Sequence, residues 1–224
     1  MLKNPDSFRR VVAGTALLGW PVLLFLAFLT SPPGAEHDPG IFRENPGAVQ
    51  VSALLYLWAA LAFIPVVLGL AHLLKHRAPR TGGIGAALGL VGAGHALTLF
   101  TTDFYDLALA QTLPAAQAEQ VTARAGELPG FLYGMLLPAF LAHVGLLTLL
   151  IGLAATRYAP WWVPVAALVG TVVPFATMDR PPAVQSVGAL FHLAAYGWIG
   201  LRVLRAPQAE WDRPELTARP PVPA

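Results

Sequence analysis

Residues 82–102 read GGIGAALGLVGAGHALTLFTT, twenty-one positions without Asp, Glu, Lys or Arg. An α-helix rises about 1.5 Å per residue, so roughly 20 apolar residues cross about 30 Å of hydrocarbon. A backbone in lipid has no water to bond and must satisfy its own N–H and C=O groups. A run this long without alternating polarity does so as a helix rather than as a barrel strand. The same reading applies to 11–30, 51–74, 131–155, 159–178 and 183–201. The chain is 56% hydrophobic and 12% charged, with a mean hydropathy of +0.60, and is predicted to be an all-α bundle of six transmembrane helices in one domain, 1–205.

The first run follows Lys3, Arg9 and Arg10, as a secretory signal would. It is longer than the roughly 7–15 residues of a signal h-region, and no small-x-small cleavage site precedes Pro32 and Pro33, so it is read as a span. Basic residues set the orientation. With the N-terminus inside, eleven fall in inner segments (Lys3, Arg9, Arg10, Lys75, Arg77, Arg80, Arg157, Arg202, Arg205, Arg213, Arg219) and three outside (Arg43, Arg124, Arg180). Both termini are therefore expected to be cytoplasmic, in the inner or plasma membrane of a bacterium, with membrane lipids as partners. The pI of 9.2 fits attraction to an anionic leaflet, and no basic stripe interleaved with aromatics points to nucleic acid. The acids Glu36, Asp38, Glu44, Asp103, Asp106, Glu119, Glu127 and Asp179 fall outside. A chain without cysteine has no disulfide, thiolate metal site, iron–sulfur cluster or dithiol relay.

Two outer connections are long. Residues 31–50 carry turn formers, and 112–127 predict a short surface helix capped by Thr112. Proline-rich 206–224 is expected to be a disordered cytoplasmic tail. Prolines inside the first, second, fourth and fifth runs, and histidines without proline in the third and sixth, allow an inverted three-plus-three repeat.

Ionisable groups deep in a membrane are costly and usually face a bundle interior, which singles out His95, His143 and His192. At about 100° per residue His95, Thr98, Thr102 and Asp106 share one helix face, while Asp103 points elsewhere and reads as a rim carboxylate. Gln185, His192 and Tyr196 share a face of the sixth run, with Gly188 between them. Counted from the outer ends, His95 and His192 lie at similar depth, roughly 12 Å in, and could meet. His143 lies deeper, among apolar neighbours. The plainer alternative is that each imidazole binds a neighbouring carbonyl or hydroxyl and acts as helix glue. Gly85 and Gly89 form a GxxxG pair suited to close packing. HLLKH, 72–76, has two-histidine metal spacing without the acid of a metalloprotease helix and reads as an interfacial flank.

FHLAAYGWIGLRVLR, GHALTLF and the six runs resemble small six-span integral membrane proteins of high-GC bacteria, a likeness that implies no activity. His95 with His192 is similar to a haem-binding pair of b-type membrane cytochromes, though without repeated spacing. The leading functional expectation is a polar intramembrane pocket that binds or converts a small lipophilic, lipid-like or isoprenoid-like molecule. His95, Asp106 and His192 would handle protons, and Tyr196, Gln185, Thr98 and Thr102 would orient the substrate, with no cofactor. The alternatives are a haem b or divalent-metal carrier using His95, His143 and His192, or a transporter or accessory self-protection protein without catalysis.

Overall fold

The computed structural model describes residues 5–33 and 38–212, apart from the side chain of Asp6. Lys3, Glu36, Arg213, Arg219 and the tail beyond Asp212 lie outside the described residues. The described residues are mostly helical, without strands: α1 Pro5–Thr30, α2 Pro39–Glu44, α3 Pro46–Leu74, α4 Pro79–Thr112, α5 Ala115–Gly126, α6 Pro129–Phe131, α7 Leu137–Ala155, α8 Trp162–Ala176, α9 Pro182–Gln185, α10 Val187–Arg205 and α11 Gln208–Asp212. Five stretches are long and apolar enough to cross a bilayer: Ser7–Thr30, Pro46–Leu74, Pro79–Thr112, Pro129–Ala155 and Pro182–Arg205. The protein is thus a helical bundle with the character of a multi-pass membrane protein.

The expected fifth span, 159–178, forms only the 15-residue α8. That is about 22 Å of helix, short of the roughly 30 Å of a full crossing. Pro160 and Trp161 hold its start to Trp162, and it stops two residues after Pro174, ahead of Asp179, Arg180 and Pro181. The third span shows the opposite departure. Helix α4 runs on past 102 to Thr112, which closes α4 instead of capping the next helix; α5 begins after Pro114. Asp103 and Asp106 are therefore helical residues.

Pro138 explains a π turn at Leu132–Leu136 between α6 and α7. Proline lacks an N–H, and its ring collides with the carbonyl four residues back. The ladder shifts by one, and the Leu137 N–H bonds Leu132 O.

The long helices form a ring in the order α8, α10, α1, α3, α4, α7, which closes through a narrower seam between α7 and α8; α3 also touches α7. Lipid supplies no hydrophobic drive between helices, so small residues that admit close backbones decide the pairs. Gly85, Gly89 and Gly92 of α4 meet Leu141, Ala142 and Gly145 of α7, Gly14 of α1 meets Gly200 of α10, and Gly170 of α8 meets Gly188 of α10. The core includes Leu17, Trp20, Phe63, Val67, Leu70, Leu149, Leu150, Tyr196 and Ile199. The two helix triplets differ in length and in packing, since α1–α3–α4 adjoin closely and α7–α8 do not.

Charge separates along the bundle. At one end Arg10 donates to Ala206 O, Arg202 Nη1 donates to Tyr158 O at 2.7 Å, and Lys75 Nζ donates to Asp212 O at 3.2 Å. Tyr158 reaches this cluster through a Schellman turn at the end of α7. Its N–H bonds Leu153 O, the Arg157 N–H bonds Ala154 O, and Arg157 takes a left-handed φ of 59°. At the other end Asp38 caps α2 through Gly40 N and Ile41 N, and Arg43 Nε and Nη2 bind Ala110 O and Leu113 O.

The tail departs from expectation over Gln208–Asp212, which forms α11 rather than a disordered segment. Proline content depressed the reading of the whole tail, but Trp211 anchors this part. It is 3% exposed, its ring stacks on His72 at 4.2 Å, and His72 Nε2 donates to Trp211 O at 2.9 Å. The interfacial HLLKH flank thus receives a strap from the same chain.

Candidate functional site

His192 is the most enclosed histidine among the described residues in the spans, at 3% exposed. Gly170 makes its place: a Cβ there would strike the imidazole at Cδ2 and Nε2. The ring packs on Trp20 of α1 at 5.1 Å and on Tyr196 one turn along α10 at 5.7 Å, and Trp20 in turn meets Phe63 of α3 at 5.4 Å. Nε2 lies 3.1 Å from Ala167 O and 3.2 Å from Thr171 Oγ1, both on α8, and the Thr171 hydroxyl itself donates to Ala167 O. A carbonyl oxygen only accepts, so Nε2 carries the proton and Nδ1 keeps a lone pair in the neutral ring. That Nδ1 is buried and has no hydrogen-bond partner.

His143 stands on α7 and faces α8. Its ring lies 6.2 Å from both Phe140 and Phe175, those two phenyl rings are 5.5 Å apart, and its Nδ1 is likewise buried without a partner. The two imidazoles are close enough to interact electrostatically. Phe140 and Phe175 are 39% and 48% exposed, so the seam abuts the apolar outside of the bundle. One unpartnered nitrogen, on His143, therefore lies beside a phenyl pair at the α7–α8 joint, and a second, on His192, is buried where α10 meets α8. Such a place can accept a hydrogen bond, or a proton, from an O–H or N–H group presented from the apolar side.

Of the other sequence candidates, Tyr196 lies beside His192, and the rest are placed elsewhere or engaged locally. Helix α4 packs on α3 and α7, and α10 on α1 and α8, so the His95 and His192 faces are not packed against one another. His95 and Asp106 share a face but stand eleven residues, or about 16 Å, apart along α4, too far to exchange a proton directly. Thr98 Oγ1 donates to His95 O and Thr102 Oγ1 to Leu99 O, each at 2.7 Å, so these hydroxyls are engaged by their own helix. Gln185 lies in α9, where its Nε2 donates to Met178 O at 3.2 Å and Arg180 O at 3.0 Å and fastens the α8–α10 connection. Tyr196 does adjoin His192. Asp103 and Asp106 each interact with neighbouring groups. Among the described residues no three His, Asp or Glu side chains gather as a ligand set for a metal.

Sequence reasoning missed Ala167 O, Thr171 and Trp20. Nothing in the sequence marks one threonine or one backbone carbonyl of an apolar helix as the partner of a histidine some twenty residues on. The close approach of α8 and α10 runs through Gly170 and Gly188.

No known family, curated protein or solved structure matches the chain.

Proposed function

We propose that the protein is a multi-pass membrane protein that binds a small lipophilic molecule at the α7–α8–α10 seam, with His192 and His143 as its polar contacts. In this reading α8 is a short sixth pass, the basic end faces the cytoplasm of the cell, and the ligand enters sideways from the bilayer between Phe140 and Phe175. The observation that carries it is the pair of buried imidazole nitrogens without partners. An unsatisfied buried polar group costs about 1–3 kcal/mol, so its persistence calls for a compensating role. The tautomer fixed by Ala167 makes His192 Nδ1 an acceptor, which suits a ligand with a hydroxyl or N–H head on an apolar body. Conversion of that ligand would begin with proton transfer to the same nitrogen.

Native mass spectrometry of the full chain released from detergent tests this. The expected spectrum shows one discrete lipophilic adduct, lost in His192→Ala and His143→Ala and kept in Gln185→Ala, with circular dichroism confirming that each variant is folded. A bare chain, or an adduct indifferent to both histidines, overturns the reading. A mass increment equal to haem or a metal would replace it with the carrier function.

A further inference from the structure

A second place has its own chemistry and owes nothing to the imidazole seam. At the basic end a groove of about 510 Å³ is lined by Trp198, Leu201, Arg202, Arg205, Pro207 and Glu210. Its residues on α10 follow helical spacing, with 198, 201, 202 and 205 on one face, and run from apolar to cationic toward the end of the helix. Leu201 is 42% exposed, and the Trp198 ring meets Trp162 edge-on at 6.2 Å. Arg202 is held in place: it donates to Tyr158 O at 2.7 Å and lies over the Tyr158 ring at 4.4 Å and the Trp198 ring at 5.6 Å. One of its five N–H groups is thereby used. Arg205 is exposed. Glu210 is one carboxylate against two guanidiniums, and Arg77 adds a third cation over the Tyr158 ring at 5.5 Å.

We infer that this groove is a binding site for an anionic phospholipid, whose phosphate takes Arg202 and Arg205 and whose acyl chain lies along Leu201 and Trp198. A guanidinium offers paired N–H donors to phosphate oxygens. Tryptophan at the boundary between hydrocarbon and headgroup suits an apolar ring with one polar edge. The apolar-to-cationic order along α10 is the order of chain and headgroup in a phospholipid. A free anion would use only its last turn.

The test is calorimetric titration of the full chain in neutral maltoside micelles with short-chain phosphatidylglycerol, short-chain phosphatidylcholine and inorganic phosphate. Saturable binding is expected for phosphatidylglycerol alone. Arg205→Gln should weaken it about five-fold, the effect of one juxtamembrane cation, and Arg205→Lys less. Arg80→Gln, which removes an exposed cation at the start of α4 outside the groove, should leave it unchanged. Equal losses in Arg205→Gln and Arg80→Gln would reduce the effect to general surface charge and overturn the site. Phosphate binding as tightly as phosphatidylglycerol would overturn the lipid as its source.

Discussion

Replacing Gly92 with alanine tests the packing that holds α4 to α7. A Cβ at Gly92 would overlap the main chain of Leu141 and Ala142, and one at Gly145 would come within 2.7 Å of Gly85 O, about 0.7 Å inside ordinary contact. No rotamer change relieves a clash with backbone, so the helices must part. A gap of 0.5–1 Å forfeits about a quarter to a half of each van der Waals well it opens, and overpacking of this kind typically costs about 1–3 kcal/mol. Alanine recovers up to about 1 kcal/mol of helix propensity, leaving a net loss of about 2 kcal/mol where main chain meets main chain. Gly94, two residues on, has nothing within 4 Å of its Cβ position. Gly94→Ala should therefore be neutral or stabilising by up to about 1 kcal/mol. Equilibrium unfolding in dodecyl maltoside titrated with sodium dodecyl sulfate, followed by far-ultraviolet circular dichroism, reads both. Shifts of the same sign and size would refute the close approach of α4 and α7, because propensity alone would then govern both positions.

Trp211→Ala should free the strap rather than unfold the bundle. Loss of one large buried side chain is worth about 2 kcal/mol, so cleavage within 206–212 by a protease should quicken roughly thirty-fold, and unchanged cleavage would deny the His72 stack its role. Thr171→Val should leave the His192 Nε2 bond to Ala167 O and cost only about 1 kcal/mol in the same unfolding assay; a larger loss would mean that the hydroxyl, not the carbonyl, fixes the ring. Arg157→Gly relieves a left-handed backbone and should stabilise by about 1 kcal/mol; destabilisation would point to a contact of its side chain that outweighs the strain. Burial holds the Tyr158 phenol above its usual pKa, against the pull of Arg202. The neutral ring therefore favours the folded state below about pH 10, and stability should fall as pH rises above that value. Tyr158→Phe should flatten this alkaline limb in a pH series of melting temperatures.

The candidate site was legible in part. His143 and His192 stood out because an ionisable side chain in an apolar run is conspicuous whatever surrounds it. Their association, and the separation of His95 from His192, depended on which helices adjoin, and matched depth along two helices says nothing of that. Asp106 shows the same limit within one helix: a shared face was readable, but three turns of separation along α4 keep it out of direct reach of His95. Thr98, Thr102 and Gln185 were polar in the right places and proved to be engaged locally, since a hydroxyl or amide can always turn to a nearby carbonyl.

Composition, run length and the placement of arginine were sufficient for a helical membrane bundle with a basic end. These follow from backbone hydrogen bonding in lipid and the cost of burying charge, which act on each segment separately. The shortness of α8, the extension of α4 to Thr112, the Trp211 strap and the order of helices around the ring came only with the tertiary structure. Each depends on a surface one segment offers another: glycine faces that let main chains touch, a His72 ring that a tryptophan covers, and a missing Cβ at Gly170 that leaves room for one imidazole. Such fits are properties of pairs, and a single sequence states its residues one at a time.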